Sequence, residues 1–352
     1  MNFVYTGLPA RVLFGDGTLA QARAELERLG VHRALVLSTP QQQAPAEALA
    51  QQLGDRSVGT CPLAVMHTPV AVTEQALQRV TAERVDGLVA LGGGSTIGLS
   101  KALALRTDLP QLVIPTTYAG SEMTPILGET KDGVKTTLRS LEVLPEVVLY
   151  DVALTLGLPT ALSGVSGLNA LAHAVEALYA QDHNPIIDLF ALEGIAALAR
   201  ALPRIATSPN DREARADALR GAWLCGACLG AVGMALHHKL CHTLGGSFDL
   251  PHAQTHAVVL PHAAAYNTSA VPQVMTKVAQ ALGTTGSAAR GLFELARAVG
   301  APTSLDALGM PKAGLERALG LALANPYWNP RPLEAEGLRG LLEAAWAGTA
   351  PD

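Results

Sequence analysis

Short apolar runs alternate with amphipathic stretches over the first 154 residues. The apolar runs are RVLFG, RALVLS, GLVALGGG, QLVIPTT and EVVLYD, and the amphipathic stretches between them include LAQARAELERLG, APAEALAQQLG and STIGLSKALAL. Apolar runs of this length are typical of buried strands, and the stretches between them have the spacing of helices. The alternation predicts an α/β domain in which crossover helices connect the strands of a parallel sheet.

Beyond residue 155 the apolar residues follow a 3.6-residue period. NALAHAVEALYA, DLFALEGIAALARALPRIA and ARADALRGAWLCGACLGAVGMALHHKL are the longest examples, and no segment in this part has a strand pattern. Pro159 is expected near the start of the first helix. We therefore predict two domains, an α/β domain of residues 1–155 and an all-helical domain of residues 156–352.

Charge and composition favour a small-molecule ligand. The 352 residues carry a net charge of −5 without a basic block, which argues against nucleic acid or an anionic membrane as the main partner. The longest apolar run, residues 221 to 236, is shorter than the roughly 20 residues of a membrane helix and predicts a buried helix. The N-terminal segment lacks a basic stretch followed by an apolar one, so we expect a cytoplasmic protein.

Four cysteines are too few for a disulfide scaffold in a chain of this length. Cys61, Cys225, Cys228 and Cys241 are therefore expected to be reduced core residues. The Cys225-x-x-Cys228 pair has no second pair to complete a zinc site, which favours a packing role for it as well.

A glycine-rich turn follows the third apolar run. Gly92, Gly93, Gly94 and Ser95 stand where a predicted strand ends and a helix begins, and the N–H groups and dipole of such a helix attract a pyrophosphate. GGGS differs from the G-x-G-x-x-G fingerprint, so a tight structural turn is the alternative. A second polar loop, residues 115 to 124, follows the next strand. Both loops should lie at the carboxyl edge of the sheet, where open α/β sheets bind ligands, and a dinucleotide is the leading candidate.

The usual carboxylate for the adenosine ribose is absent from the best candidate strand. RALVLS is followed by Thr39-Pro40-Gln41, and Thr39 is the candidate cofactor-binding residue there. An acidic residue at this position would discriminate against the 2′-phosphate of NADP. We expect NADH as the cofactor, with NADPH an open alternative.

Six of the ten histidines lie between residues 234 and 262. Asn169 and His173 are four residues apart on a helical pattern, and so are His238 and His242; side chains with this spacing share a helix face. His252 follows a glycine-rich turn that could bring it to the same pocket. Metal binding and proton transfer are the two chemical uses of such a set, and a structural role is the alternative. His237, His256 and His262 are predicted to pack or cap.

Seven motifs together resemble the iron-containing alcohol dehydrogenase superfamily, and within it the members that reduce maleylacetate. The motifs are PARVLFGDG, MHTPV, GGGSTIGLSKA, PTTYAGSEMTPILGET, SGLNALAHAVEALYA, MALHHKLCHTLGGSFDLPHAQTHAVVLPHAAAYN and NPYWNPRPL. The resemblance runs from end to end. It implies a dinucleotide-binding N-terminal domain, a helical C-terminal domain, an active site in the cleft between them, and a homodimer.

The resemblance assigns cofactor and metal positions. Those for the cofactor are Gly93, Gly94 and Ser95 at the pyrophosphate, Thr116, Thr117 and Thr124 on the cofactor-facing loop, and Lys135. The metal ligands of the superfamily, one Asp and three His, fall on Asn169, His173, His238 and His252. Asn169 replaces the Asp, and an amide oxygen is a weaker ligand that removes one negative charge beside a cation. We therefore expect that no metal is required.

The activity implied by the resemblance is NAD(P)H-dependent reduction of the C=C bond of maleylacetate, and of chlorinated maleylacetates, to 3-oxoadipate in aromatic degradation. An anionic substrate needs hydrogen-bond donors, and His242 is the predicted proton donor. His173, His238 and His252 would shape the anion pocket, and Asn169 could donate to a carboxylate. Further candidates, each with a bland alternative, are Tyr118 as a hydroxyl donor or packing residue, Lys239 and Arg331 as carboxylate clamps or surface charges, and Lys101 beside the phosphate or on a solvated helix face.

Three other functions compete with this one. A metal-dependent alcohol or polyol dehydrogenase of the same superfamily would use Asn169 as a ligand. A lyase resembling dehydroquinate synthase shares the fold and uses NAD only transiently, so it would not consume NADH. A non-catalytic metal or nucleotide sensor needs an output module, and no part of the chain is left for one.

Overall fold

The computed structural model describes residues 3–8, 10–324 and 327–352. Pro9 of the first motif and residues 325–326 of the last motif lie outside the described residues. The chain divides into two compact units. Gly7–Leu158 forms one, and Pro159–Asp352 with the short N-terminal segment forms the other.

A six-stranded, all-parallel sheet forms the centre of the first unit, in the order β1-β8-β5-β4-β2-β3. Its strands are β1 (Arg11–Gly15), β2 (Ala34–Leu37), β3 (Ser57–Cys61), β4 (Gly87–Gly92), β5 (Gln111–Pro115) and β8 (Val147–Asp151). The helices of this unit are α1 (Ala22–Arg28), α2 (Gln43–Leu53), α3 (Val70–Ala82) and α4 (Gly94–Thr107). A separate antiparallel pair consists of β6 (Ile126–Lys131) and β7 (Val134–Arg139).

The predicted α/β domain is confirmed. Strands β2, β4, β5 and β8 are buried along their whole length, as expected where helices cover both faces of a parallel sheet. The apolar pattern did not identify β3, β6 and β7. Ser57–Cys61 has few large apolar residues and is only half-buried, and the β6–β7 pair, which forms a separate sheet, is mostly polar with β7 largely exposed.

The second unit contains helices and no strand among its described residues, as predicted. Pro159 is the N-cap of its first helix. The helices are α5 (Thr160–Ala177), α6 (Pro185–Thr207), α7 (Arg212–Ala231), α8 (Leu236–Phe248), α9 (His252–Thr268), α10 (Pro272–Leu282), α11 (Ala288–Ala298), α12 (Leu315–Ala324) and α13 (Ala335–Ala347). One apolar cluster of this unit is built mainly from α8, α9, α12 and α13.

The apolar run from residue 221 to 236 is not one helix, which corrects the sequence prediction. Helix α7 ends at Ala231 and α8 begins at Leu236, with a bend of 94° between them. The break is held by side-chain oxygens: Asp182 Oδ1 accepts from Gly233 N at 2.9 Å, and Glu176 Oε2 accepts from Ala235 N at 3.0 Å. No single helix among the described residues has the length and hydropathy of a membrane span; only α7 and α8 taken together reach it.

Candidate active site

The two loops that were predicted to bind a dinucleotide lie at the carboxyl edge of the sheet. Gly92 at the end of β4 pairs in register with Pro115 at the end of β5, so the loops after these strands are neighbours. The chain leaves β2 toward β3 on one side and leaves β4 toward β5 on the other. Ligands of open α/β sheets bind where the strand order reverses in this way. The switch point lies between β2 and β4, directly beside the glycine-rich turn.

Gly93 and Gly94, at the start of α4, differ in the space around them. A Cβ built on Gly93 would lie 2.8 Å from Thr117 Cγ2 and 2.9 Å from its Oγ1, whereas a Cβ built on Gly94 meets nothing within 4 Å. Gly93 is therefore required by the neighbouring loop, and Gly94 faces open space at a helix N-terminus. Unpaired N–H groups and the positive end of the helix dipole at this place suit a pyrophosphate.

Gly94→Ala is expected to weaken NADH binding at least about tenfold while leaving the fold intact, because the added methyl enters the space that a phosphate needs. Titration of NADH by fluorescence and urea unfolding measure the two effects. Gly340→Ala on α13, where a Cβ also meets nothing within 4 Å, is the matched control and should bind NADH as the wild type does. Equal NADH affinity in both variants would contradict a phosphate site at this turn.

A buried lysine stabilises the end of the loop at residues 115–124 through hydrogen bonds. Lys101 Nζ donates to Ser121 O at 2.6 Å, to Thr124 O at 2.6 Å, to Thr124 Oγ1 at 2.9 Å and to Ile126 O at 3.0 Å. The predicted role of Lys101 beside the phosphate or on a solvated face is wrong, because its side chain is fully buried. Burial lowers the pKa of Lys101 to about 7, while nearby Glu122 raises it; the oxygens around Nζ favour the ammonium form.

Glu122 continues this buried network and was missed by sequence reasoning. Its Oε1 accepts from the Tyr150 hydroxyl at 2.8 Å, and burial raises the pKa of the Glu122 carboxyl. Thr124 serves the same network, since its hydroxyl contacts Lys101 and donates to Ser121 O at 3.0 Å. These buried hydrogen bonds therefore hold the loop in place.

The other predicted cofactor residues of the first unit occupy different settings. Thr116 accepts at Oγ1 from Gln42 Nε2 at 2.8 Å, a partner that sequence reasoning did not identify. Thr39 is half-buried after β2, and Ser95 is half-buried in the first turn of α4. Lys135 is exposed on β7, and Tyr118 is fully buried. Burial suits the packing role that was the alternative for Tyr118.

Six imidazoles form a histidine cluster in the helical unit, contributed by α5, α8 and α9. Its members are His173, His237, His238, His242, His252 and His256. Ring centroids lie 5.2 Å apart for His173 and His238, 6.4 Å for His238 and His242, and 6.4 Å for His242 and His252. The predicted i,i+4 pairs thus meet in one place. His237 and His256 are also members, and both are fully buried.

Glu176, one turn after His173 on α5, organises the cluster. Its carboxylate accepts from His237 N at 2.7 Å, from Ala235 N at 3.0 Å and from His238 Nδ1 at 2.6 Å. A negative charge at the N-terminus of α8 also interacts favourably with the positive end of the helix dipole. Because Nδ1 of His238 donates to the carboxylate, the neutral ring presents its lone pair at Nε2.

Four ring nitrogens in this cluster are buried without a hydrogen bond to any described residue: His173 Nδ1, His237 Nδ1, His238 Nε2 and His256 Nε2. Burial lowers the pKa of His173 well below its usual value, with His238 and His252 adding to the effect. Buried polar atoms normally have partners. The nitrogens of His173 and His238, which belong to predicted site residues, are therefore available for a ligand, and the low pKa keeps His173 uncharged.

The metal-ligand set implied by the sequence resemblance does not form a preformed metal site. In the described part of the chain, His173, His238 and His252 do not bring three donor atoms within 4.8 Å of one another. Asn169 offers an amide where a carboxylate would add charge. The residues at these four positions therefore fit a polar organic ligand better than a divalent cation.

His242 and His252 are the two exposed imidazoles of the cluster. The ring of His242, on α8, stacks on that of His252 at an interplanar angle of 25°. The two predicted carboxylate clamps, Arg331 and Lys239, make contacts with aromatic rings of the protein itself. Arg331 donates to Tyr266 O at 3.1 Å and stacks on the Tyr266 ring, so its guanidinium is engaged in packing, and Lys239 lies over the Tyr327 ring.

His262, on the buried side of α9 against Phe293, has a structural role that gives a pH prediction. Burial lowers its pKa to about 4, below the roughly 6.5 of an unfolded histidine. Its contribution to stability is thus complete above pH 6.5 and is lost as the pH falls toward 4. Between pH 7 and pH 5 the wild type should lose about 2 kcal/mol more unfolding free energy than His262→Leu, measured by urea unfolding. Parallel losses in the two proteins would contradict a neutral His262.

Comparison with known proteins places the chain in a family. Residues 9–152 match the model for iron-containing alcohol dehydrogenases, and residues 163–346 match the C-terminal model of the same family. The chain belongs to the iron-containing alcohol dehydrogenase family. It is 57% identical over 350 residues to the maleylacetate reductase of Rhizobium sp. (strain MTP-10005), with 99% of each chain covered, and 57% identical over 351 residues to that of Sphingobium indicum, covering 100% of this chain and 99% of the relative. The crystal structure of maleylacetate reductase from Agrobacterium tumefaciens has a TM-score of 0.97 at 57% identity, covering 100% of both chains.

Proposed function

We propose that this protein reduces the C=C bond of maleylacetate to give 3-oxoadipate, with NAD(P)H as the reductant. The observation that carries the proposal is the full-length identity of 57% to relatives that are maleylacetate reductases. The buried and exposed imidazoles of the cluster, with an amide in place of the metal-binding carboxylate, support a site for an anionic organic substrate. Chlorinated maleylacetates share the reacting group and belong to the proposed substrate class.

The reduction is a conjugate addition. Bound NAD(P)H supplies a hydride to the carbon beta to the ketone, and negative charge develops on the ketone oxygen as an enolate. A donor at that oxygen lowers the barrier. His242, exposed on α8 beside His252, is the proposed general acid: it donates a hydrogen bond to the ketone oxygen and then a proton to the enolate. The product thereby gains one hydride and one proton.

Asn169 and the buried imidazoles are proposed to hold the substrate carboxylates. An amide N–H₂ donates two hydrogen bonds, which a carboxylate side chain at this position could not do. His238, fixed by Glu176 at 2.6 Å, is held in one orientation, and His173 lies beside it. We propose that these side chains and His252 form the anion pocket, and that Tyr118, Lys239 and Arg331 support it at most indirectly.

For the cofactor, we propose that the pyrophosphate binds at the first turn of α4. Gly94 leaves the space, Gly93 and Ser95 flank it, and Thr117 Oγ1 is a buried atom without a hydrogen bond to any described residue. Thr39, Thr116, Thr124 and Lys135 surround or support the same loops. NADH is the proposed reductant, and NADPH remains the alternative because Thr39-Pro40-Gln41 after β2 contains no carboxylate to repel a 2′-phosphate.

We further propose a cytoplasmic homodimer. The four cysteines are all unpaired and buried, as expected in a reducing compartment. Phe14 on the edge strand β1 and the apolar side chains of Phe3, Val4 and Tyr5 are exposed on a single chain and are candidates for a subunit contact. Light scattering after size exclusion measures the mass, and a monomer would contradict this assignment.

The deciding experiment follows the absorbance of NADH with maleylacetate and protein that has been treated with EDTA and analysed for metals. We expect NADH oxidation without bound metal and 3-oxoadipate as the product. Activity that returns only with iron or zinc would instead indicate a metal-dependent enzyme that uses Asn169 as a ligand. Turnover of maleylacetate without NADH oxidation, or NADH oxidation only with simple aldehydes or ketones as the hydride acceptor, would overturn the proposed reaction.

A further inference from the structure

A second group of possible ligand atoms lies inside the histidine cluster and shares no residue with the positions that the superfamily uses for its metal. Nε2 of His237, Sγ of Cys241 and Nδ1 of His256 all lie within 4.8 Å of one another. His237 and Cys241 are four residues apart on α8 and so share one face of that helix. His256 reaches the same point from α9. These three residues are called the His–Cys–His trio below.

The distances within the trio are close to those of a metal site. His237 Nε2 and His256 Nδ1 are 2.9 Å apart, and Cys241 Sγ is 3.7 Å from His237 Nε2. Zinc–nitrogen and zinc–sulfur bonds of about 2.0 and 2.3 Å in a tetrahedron place two nitrogens about 3.3 Å apart and nitrogen and sulfur about 3.6 Å apart. A small opening of the imidazole pair would therefore admit an ion.

The two imidazoles of the trio contact each other through one hydrogen bond between His237 Nε2 and His256 Nδ1. Neutral imidazole and thiolate are the forms that ligate metals, so metal binding must displace the proton of this hydrogen bond and the thiol proton. One proton is enough for the hydrogen bond between the two rings. His237 Nδ1 and His256 Nε2 are buried without a hydrogen bond to any described residue, so hydrogen bonds within the protein do not account for the two imidazoles at this place.

We propose that His237, Cys241 and His256 form a binding site for a thiophilic divalent cation such as Zn²⁺ or Co²⁺. Two imidazoles and one thiolate suit these ions, whereas Mg²⁺ and Ca²⁺ require oxygen ligands. Binding releases the thiol proton of Cys241 to solvent, and three protein ligands leave one coordination position for a small molecule. The site is distinct from the proposed reductase chemistry, which uses no metal.

Cobalt absorption spectroscopy tests the proposal independently of activity. Protein stripped of metal by EDTA and dialysed is incubated to equilibrium with increasing Co²⁺. We expect one equivalent to produce the intense visible bands of a tetrahedral site and a near-ultraviolet sulfur-to-cobalt charge-transfer band. Cys241→Ser should lose the charge-transfer band, and His256→Gln should weaken Co²⁺ binding at least about tenfold. Absence of the charge-transfer band from the wild type would overturn the proposal.

Two controls separate this site from other residues of the chain. Cys228→Ser removes a buried thiol of α7 and should keep the spectrum, and His173→Ala removes a ligand of the superfamily's metal position and should keep it as well. Loss of the bands only in His173→Ala would place the ion at the superfamily's position and overturn the proposal. X-ray absorption of the zinc-loaded wild type needs no variant: one sulfur and two imidazole nitrogens support the trio, whereas no sulfur or two sulfurs contradicts it.

Discussion

Replacing His242 by alanine is expected to lower kcat for maleylacetate by about 10²–10⁴-fold, the usual contribution of a positioned general acid. His242 is exposed on α8; of the other cluster imidazoles, His252 is exposed as well and the rest are buried. The His242 ring can therefore exchange protons with solvent after each turnover. The affinity for NADH should not change, because the imidazole is assigned to the substrate. Steady-state kinetics and NADH titration measure these two quantities separately.

The control for this variant is His183→Ala, which removes an exposed histidine that pairs with Asp188 outside the cluster. Its kcat should match that of the wild type. Added imidazole should restore part of the activity of His242→Ala, because a small base can enter the space left by an exposed ring. An unchanged kcat in His242→Ala would remove this residue from the reaction, and a lower kcat without rescue at any imidazole concentration would assign it a packing role.

The sequence predicted the fold correctly for strands that are buried on both faces. Strands β4, β5 and β8 are buried on both faces, so their residues are apolar throughout and the pattern is unambiguous. Ser57–Cys61 forms a strand only because β2 offers a parallel edge, and its own residues do not indicate one. The bend between α7 and α8 depends on Asp182 and Glu176, which lie about 50 to 60 residues earlier in the chain. Helical periodicity contains no information about such distant partners.

Helix spacing predicted part of the site in the same way. The pairs Asn169/His173 and His238/His242 share helix faces because of a four-residue separation, and α5 and α8 do present them. His237 and Cys241 have the same spacing, which could have indicated a second face of α8. Lys101 shows the limit of the method: its burial and its four oxygen partners arise from the folding of residues 121–126 around it, and the sequence of α4 alone suggests a solvated lysine.

Glu176→Ala is expected to have the largest effect on stability of any single change in the helical unit considered above. The carboxylate accepts from Ala235 N, His237 N and His238 Nδ1 in a fully buried position. Truncation would leave these donors buried without partners, at a cost of about 3–5 kcal/mol of unfolding free energy. Urea unfolding measures this loss, and Glu294→Gln on α11, where the partly exposed carboxylate pairs with Arg290 and Arg297, should change stability by less than about 1 kcal/mol.

Glu176→Gln separates the two roles of the carboxylate. The amide oxygen can still accept a hydrogen bond from an N–H at the start of α8, so the loss of stability should be smaller, about 1–2 kcal/mol. The amide N–H₂ group, however, would face His238 Nδ1 as a donor, which moves the imidazole proton to Nε2 and removes the lone pair from the pocket. We therefore expect the ¹⁵N shifts of the imidazole to report the other tautomer, together with a lower kcat. A folded Glu176→Gln protein with wild-type kcat and an unchanged tautomer would show that Glu176 holds the helix but does not orient His238.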